Sequence, residues 1–251
     1  IDDEINPNAQ TLLDGHKNPL PLPNLESNIL CGNSLIDEFE GVRLVKESDL
    51  LGSSGEYQRD FSSGRFDTIV EKLIETQDEL FRCDNTEKKK QLKEQIETLR
   101  DMVIMTQLEG CDSKIIERYH ETKQMASKPY VLWQLDFARV FREKGGFDIV
   151  IGNPPYIDSE NMVNQGLGEE RDYIAKNYSF AKGNWDIYIA FFEKGFNLTS
   201  TNGCLCYITP DKWISKPFGA AMRKSLVKNF VSILEAGRDV FASALVDSII
   251  T

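Results

Sequence analysis

The chain has 251 residues, and 40 acidic against 29 basic side chains leave it with a net charge of −11. That length accommodates one large α/β domain, or a domain carrying an insertion. It contains no run of about 20 apolar residues and no signal-peptide pattern, so no membrane partner and a cytoplasmic location are expected.

The acidic excess is uneven. Residues 1–60 hold 12 acidic and 4 basic side chains, 61–130 hold 14 and 12, and 131–251 hold 14 and 13. The last portion is close to neutral, whereas affinity for phosphates normally comes from Lys and Arg. The five cysteines (Cys31, Cys83, Cys111, Cys204 and Cys206) form no CxxC pair. That spacing favours buried free thiols over a disulfide framework or zinc site. His16 and His120 are far apart in the chain, so no metal site is expected.

Residues 1–27 read as irregular, with Pro and Asn scattered through Asn6-Pro7-Asn8 and Lys17–Pro23. Ser27–Cys31 is predicted as a short strand ending at Gly32-Asn33-Ser34-Leu35, and 37–64 as a polar stretch with a loop at Gly52–Gly55. From about Phe66, Ile69, Val70, Leu73, Ile74, Leu80 and Phe81 recur at steps of three and four, which predicts an amphipathic helix. Asp84-Asn85-Thr86 is a break with capping residues. A second helix runs through Leu92, Ile96, Leu99 and Val103 and stops at Gly110; Ile115, Ile116 and Tyr119 mark a shorter third. Residues 65–128 therefore read as a helical hairpin inserted between an N-terminal part of the core (1–64) and the main core (129–251). The triplet Lys88-Lys89-Lys90 is read as a solvated face balanced by Asp78, Glu79, Glu87 and Glu94 in preference to a DNA contact.

Beyond the insertion the pattern alternates. Phe147–Ile151, bounded by Gly145-Gly146 and Asn153-Pro154, is predicted as a buried central parallel strand. Gly183-Asn184-Trp185-Asp186 leads into a helix carrying Ile187, Ile189, Ala190, Phe191, Phe192 and Phe196. A strand Cys204–Thr209 follows, with Cys204 and Cys206 on one face, then a helix with Phe218, Met222 and Leu226. Strands Phe230–Leu234 and Leu245–Ile250 complete the series. The succession argues for an α/β fold with a doubly wound sheet.

The chemistry concentrates in Asn153-Pro154-Pro155-Tyr156, at the carboxyl end of the predicted central strand. Ligands of open α/β sheets bind there. An exocyclic amine is a poor nucleophile because its lone pair is delocalised into the ring. Two fixed acceptors, the Asn153 side-chain oxygen and the Pro154 carbonyl, help it pyramidalise and attack. Prolines suit such a turn because they fix φ and donate no main-chain hydrogen bond. Tyr156 offers a face on which a flipped base stacks.

Phe147-Asp148-Ile149-Val150-Ile151-Gly152-Asn153-Pro154-Pro155-Tyr156 resembles the catalytic motif of adenine N6-methyltransferases of the gamma arrangement. Leu22-Pro23-Asn24-Leu25 leading to Gly32-Asn33-Ser34-Leu35-Ile36 is similar to the segment near the cofactor adenine in the large restriction–modification (type IIG-like) members. Asp186–Phe192, Tyr207-Ile208-Thr209-Pro210, and Val240-Phe241 before Val246–Ile250 resemble later motifs of that family. The resemblance covers residues 22–36 and 129–251. It implies a partial Rossmann-like sheet that uses S-adenosylmethionine. It also implies that Asn153 and Pro154 bind the target amine, with Pro155 part of the same catalytic motif, that Tyr156 stacks on the flipped base and that Phe241 packs against its other side. Asn33 would lie near the cofactor adenine, where relatives often carry Asp.

The chain departs from the family in two respects. The glycine-rich cofactor loop and acidic ribose-binding residue that precede this region in relatives are not recognisable before Asn33, and the sequence stops at Thr251, inside the strand that a target-recognition domain normally follows. The chain therefore reads as a middle fragment, with weak or no cofactor binding expected and DNA gripped through flanking domains. A specificity or nuclease domain or subunit is the expected partner. The leading function is a DNA adenine methyltransferase core of a restriction–modification or phage-defence enzyme. The alternatives are a protein-glutamine or RNA amino-methyltransferase and a non-catalytic scaffold.

Overall fold

The computed structural model describes residues 29–45, 61–237 and 247–251. Strands β1 (Glu38–Phe39) and β2 (Val42–Arg43) form a small antiparallel hairpin. Helices α1 (Phe61–Arg82), α2 (Thr86–Leu108) and α3 (Ser113–Thr122) follow. The expected break is a cap: the Asn85 side chain accepts the Lys88 amide at 2.9 Å. Gly110, at φ 83°, takes the left-handed conformation that ends the segment.

The apolar spacing of α1 and α2 becomes packing. Phe66, Val70 and Leu73 from α1 meet Val103, Ile104 and Leu108 from α2 in one buried cluster. Phe39 and Leu44 of the hairpin region, Tyr119 of α3, and Tyr130, Leu132 and Leu135 complete it. Helix α4 (Trp133–Asp136) is tied to α2 by a buried Arg100–Asp136 ion pair at 2.6 Å. Helix α5 (Ala138–Lys144) then leads to the sheet.

The main sheet has the order β3-β4-β6-β5, from β3 (Phe147–Gly152), β4 (Thr199–Pro210), β5 (Leu234–Gly237) and β6 (Ser248–Ile250). β3 and β4 are parallel, and β6 lies antiparallel between β4 and β5. The fold is mixed α/β. The β3-to-β4 crossover carries α6 (Ser159–Asn164), α7 (Gly168–Asn177) and α8 (Tyr188–Leu198). α8 covers one sheet face, where Tyr188, Ile189 and Phe192 pack with Tyr207, Val150 and Leu205. At Gly195 a β-carbon would stand 2.5 Å from the Tyr207 hydroxyl, so the helix approaches the sheet closely only because glycine is there. After β4 come α9 (Lys212–Ser215), a 3-10 turn (Pro217–Gly219) and α10 (Ala220–Leu226).

Several expectations need correcting. β3 is parallel, as expected, but among the described residues it is an edge strand, not a central one. Phe147 is covered by Trp133, Phe137 and Phe141, whereas Ile149 and Ile151 on the same face are 70% and 77% exposed. Cys204 and Cys206 lie opposite Ile149 and Ile151, so they do share a face. That face is the one α8 leaves uncovered, which is why Cys204 is exposed and Cys206 only half-buried. Cys31 is exposed too, and only Cys83 is fully buried. The two last strands begin four and three residues later than the spacing suggested, at Leu234 and Ser248, although residues 245–246 lie outside the described set. Ile29, Leu30 and Cys31 are not in a strand, and the Ser27–Asn28 part of that expectation is not described. No described helix is long and apolar enough to cross a membrane.

Candidate active site

β3 ends at Gly152, whose α-carbon lies over Tyr207; a β-carbon there would meet the Tyr207 ring at 3.1 Å. Asn153 then leaves the strand exposed, while Pro154 is buried and anchors the turn. The far end of the loop is pinned to the segment before α8. The Ser159 amide donates to Trp185 O at 2.8 Å, and the Ile187 amide donates to Ile157 O at 2.9 Å. Ser159 Oγ adds a hydrogen bond to Asn184 Oδ1 at 2.9 Å. The Asn153–Tyr156 turn is thus held between β3 and the residues that open α8.

Within the turn, the Tyr156 hydroxyl donates to Asn153 Oδ1 at 2.8 Å and lies 3.3 Å from Ile208 O of β4. A carboxamide oxygen has two lone pairs, so this contact orients Asn153 and leaves it one further acceptor site. Burial pushes the Tyr156 hydroxyl above its ordinary pKa, which keeps it a neutral donor. The Tyr156 ring meets the buried Tyr188 edge-on at 6.3 Å between centroids, and Tyr188 meets Phe218 at 6.4 Å. The buried Tyr188 hydroxyl lies against the Asp186 carboxyl.

Beside this turn opens a cleft of about 670 Å³, lined among others by Asp158, Lys182, Asp186, Lys212, Lys216 and Phe218. Burial raises the Asp186 carboxyl above its ordinary value, and the neighbouring Tyr188 and Lys212 draw it partly back. Asp158 caps α6, its Oδ1 accepting the amides of Glu160 and Asn161 at 3.1 and 2.8 Å.

Asn33 lies elsewhere, in the turn after Cys31. Its Oδ1 accepts the Leu35 amide at 3.1 Å, and its own amide donates to Lys128 O at 3.1 Å. Leu35 joins the two regions, because it is buried with Met162 and Trp185, which flank the Asn153–Tyr156 turn. Phe241 falls outside the described residues.

The model of one protein family, the Eco57I restriction-modification methylase, matches residues 67–241. The chain belongs to this family. Among relatives of the Eco57I-family chain, RM.MjaORFECS2P of Methanocaldococcus jannaschii is 24% identical over 91% of the chain and 22% of that protein. The type II restriction enzyme and methyltransferase RM.Eco57I of Escherichia coli is 36% identical over 33% of the chain and 8% of that protein. The type II methyltransferase M.PaeR7I of Pseudomonas aeruginosa is 34% identical over 35% of the chain and 14% of its own length. The chain thus matches less than a quarter of each of these relatives. The family match runs through α1–α3 as well as the Asn153–Tyr156 turn. What sequence reasoning missed in this Eco57I-family chain is the lysine-lined cleft. Its lysines come from two separated segments, and only the repeated Lys spacing at 212 and 216 hints at it.

Proposed function

We propose that this chain is the base-methylating part of an adenine N6-specific DNA methyltransferase of a restriction–modification enzyme. The observation that carries the reading is the Asn153–Tyr156 turn at the carboxyl end of β3, with the Tyr156 hydroxyl holding Asn153 Oδ1 at 2.8 Å. The α/β sheet is read as part of a Rossmann-like methyltransferase sheet, and α1–α3 as a helical insertion into it. Domains on either side in longer relatives would supply target recognition or a nuclease.

In this mechanism the target adenine is flipped into the site and stacks on Tyr156, with Phe241 its expected second neighbour. Its amino group donates one hydrogen to Asn153 Oδ1 and the other to the Pro154 carbonyl. As the nitrogen pyramidalises and forms its bond to the methyl carbon, positive charge develops on it. Oxygens fixed in the turn before that charge develops would need no reorganisation at the moment of reaction, and the Tyr156 hydroxyl fixes Asn153 Oδ1 in this way. The methylated nitrogen then loses a proton. S-adenosylmethionine, when bound, would supply the electrophilic methyl group, its sulfur keeping the electron pair of the breaking S–C bond and leaving as a neutral thioether. The Asn33 side chain, whose oxygen accepts the Leu35 amide, would keep its NH₂ to donate to the cofactor adenine.

The test is methyl transfer by the native full-length protein from labelled S-adenosylmethionine to mixed-sequence DNA, followed by nucleoside analysis. N6-methyladenine that disappears in Asn153→Ala is expected. Label in protein or RNA instead would move the substrate to those polymers, and no label in any polymer would leave a scaffold.

A further inference from the structure

The Asn153–Tyr156 turn accounts for how an amine is held, but not for how a chain of net charge −11 holds a polyanion. The cleft beside it has the features required. Lys182, Lys212 and Lys216 all line it and all are exposed. None of the three makes an ion pair among the described residues. The two acids of the cleft do not neutralise them by contact. Both Asp158 oxygens are engaged, Oδ1 by main-chain amides and Oδ2 by Asn161 Nδ2 at 2.7 Å. Asp186 is half-buried beside Tyr188.

The lysines also stand on a fixed support. Lys212 opens α9, and Lys216, just past its end, donates its amide to Lys212 O at 2.9 Å, so a single turn of backbone holds the two together. Arg223 Nη1 clamps that segment by donating to the carbonyls of Trp213 and Lys216. Gly219 packs so closely under it that a β-carbon would lie 2.0 Å from Trp213 O. Trp213 is itself buried, with its Nε1 donating to Thr209 Oγ1 at 3.2 Å. Lys182 approaches from a different loop, ahead of Gly183 at φ 71°.

The position suits a backbone contact. Phe218 of the cleft, Tyr188 and Tyr156 form a row of rings with centroid steps of 6.4 and 6.3 Å. A base stacked on Tyr156 remains joined to its own phosphates, so the strand on one side of it must pass within about a nucleotide of this row. We propose that Lys182, Lys212 and Lys216 form a phosphate clamp that grips the DNA backbone flanking the flipped nucleotide. The clamp rests on the DNA-methylating reading and names the substrate contacts of that site.

The experiment measures the DNA affinity of the native full-length protein between about 50 and 200 mM salt, where each phosphate contact adds about 0.9 to the slope of log affinity against log salt. Lys182→Gln should lower that slope by about 0.9, and the Lys212→Gln/Lys216→Gln double variant by roughly 1.8. The corresponding Arg variants should keep it. Unchanged unfolding midpoints would show that the lysines act on DNA and not on folding. Slopes equal to wild type in an enzyme that still methylates DNA would overturn the clamp alone. A wild-type protein that neither binds nor methylates DNA would overturn the methylation reading and the clamp together.

Discussion

The helical block and the cleft beside the Asn153–Tyr156 turn use their cations in opposite ways. In and around the helices several basic side chains meet acids: Lys88 pairs with Glu79 at 2.7 Å, Arg139 with Asp78 at 3.1 Å, and Arg100 with Asp136 at 2.6 Å. In the cleft, Lys182, Lys212 and Lys216 face solvent with no such partner among the described residues. The lesson is that a lysine count says little about nucleic-acid contact. The triplet Lys88-Lys89-Lys90 is the denser cluster in sequence, yet its first member is already neutralised. The three cleft lysines are scattered in sequence and gathered only by the fold.

The largest expected effect tests the helical side of this contrast. Arg100→Ala leaves Asp136 buried and unpaired, and should cost about 3–5 kcal/mol in a denaturant unfolding experiment. Burial already pushes the Asp136 carboxyl up to about 6 despite Arg100, a sign of how dry the pair is. A cost below about 1 kcal/mol, the range of an exposed pair, would mean water reaches it.

Next is Asn153→Ala, which on the proposed mechanism removes a preorganised group from the reacting amine. It should reduce kcat by about 10²–10³-fold while unfolding is unchanged, since Asn153 is exposed. If stability fell by as much as activity, the turn would be structural and not catalytic.

A smaller, pH-dependent effect sits at the junction of the two regions. Asp37 lies against Lys194 of α8 at 3.5 Å and accepts the Tyr173 hydroxyl at 2.7 Å. Burial pushes its carboxyl up, but Lys194, Tyr173 and Arg43 together hold it below its ordinary value. The folded state therefore binds fewer protons here than the unfolded chain. The stabilisation is present above the ordinary carboxylate pKa and is lost as pH falls through the folded value. The unfolding midpoint of wild type should drop more steeply below about pH 4 than that of Asp37→Asn. Equal acid limbs would remove Asp37 from the junction.

The smallest expected effect is none. Replacing Lys88, Lys89 and Lys90 with Gln should leave the salt dependence of DNA binding as in wild type, in contrast to the cleft variants. A loss of slope in the triplet variant would make the helical block a DNA contact and dissolve the contrast.

Much of this was legible in the residues. Local chemistry placed the helix break at Asn85, the helical stop near Gly110, and the Asn153–Tyr156 turn directly after a strand, because caps, left-handed glycines and Asn-Pro turns act within a few residues. The alternation of Cys204 and Cys206 correctly put them on one face. Nothing local, however, distinguishes a central strand from an edge strand. An apolar run such as Phe147–Ile151 reads the same whether or not a neighbour covers it, and the exposure of Ile149 and Ile151 emerged only with the sheet order. The short helices α6 and α7 carry too little periodic pattern to be read, and Asn33 turned out to spend its oxygen on a turn. The tie between Tyr156 and Asn153 spans only three residues, but the convergence of Lys182 with Lys212 and Lys216 is a tertiary fact. It depends on how the crossover returns to β4, a contact made across some thirty residues that no local preference encodes.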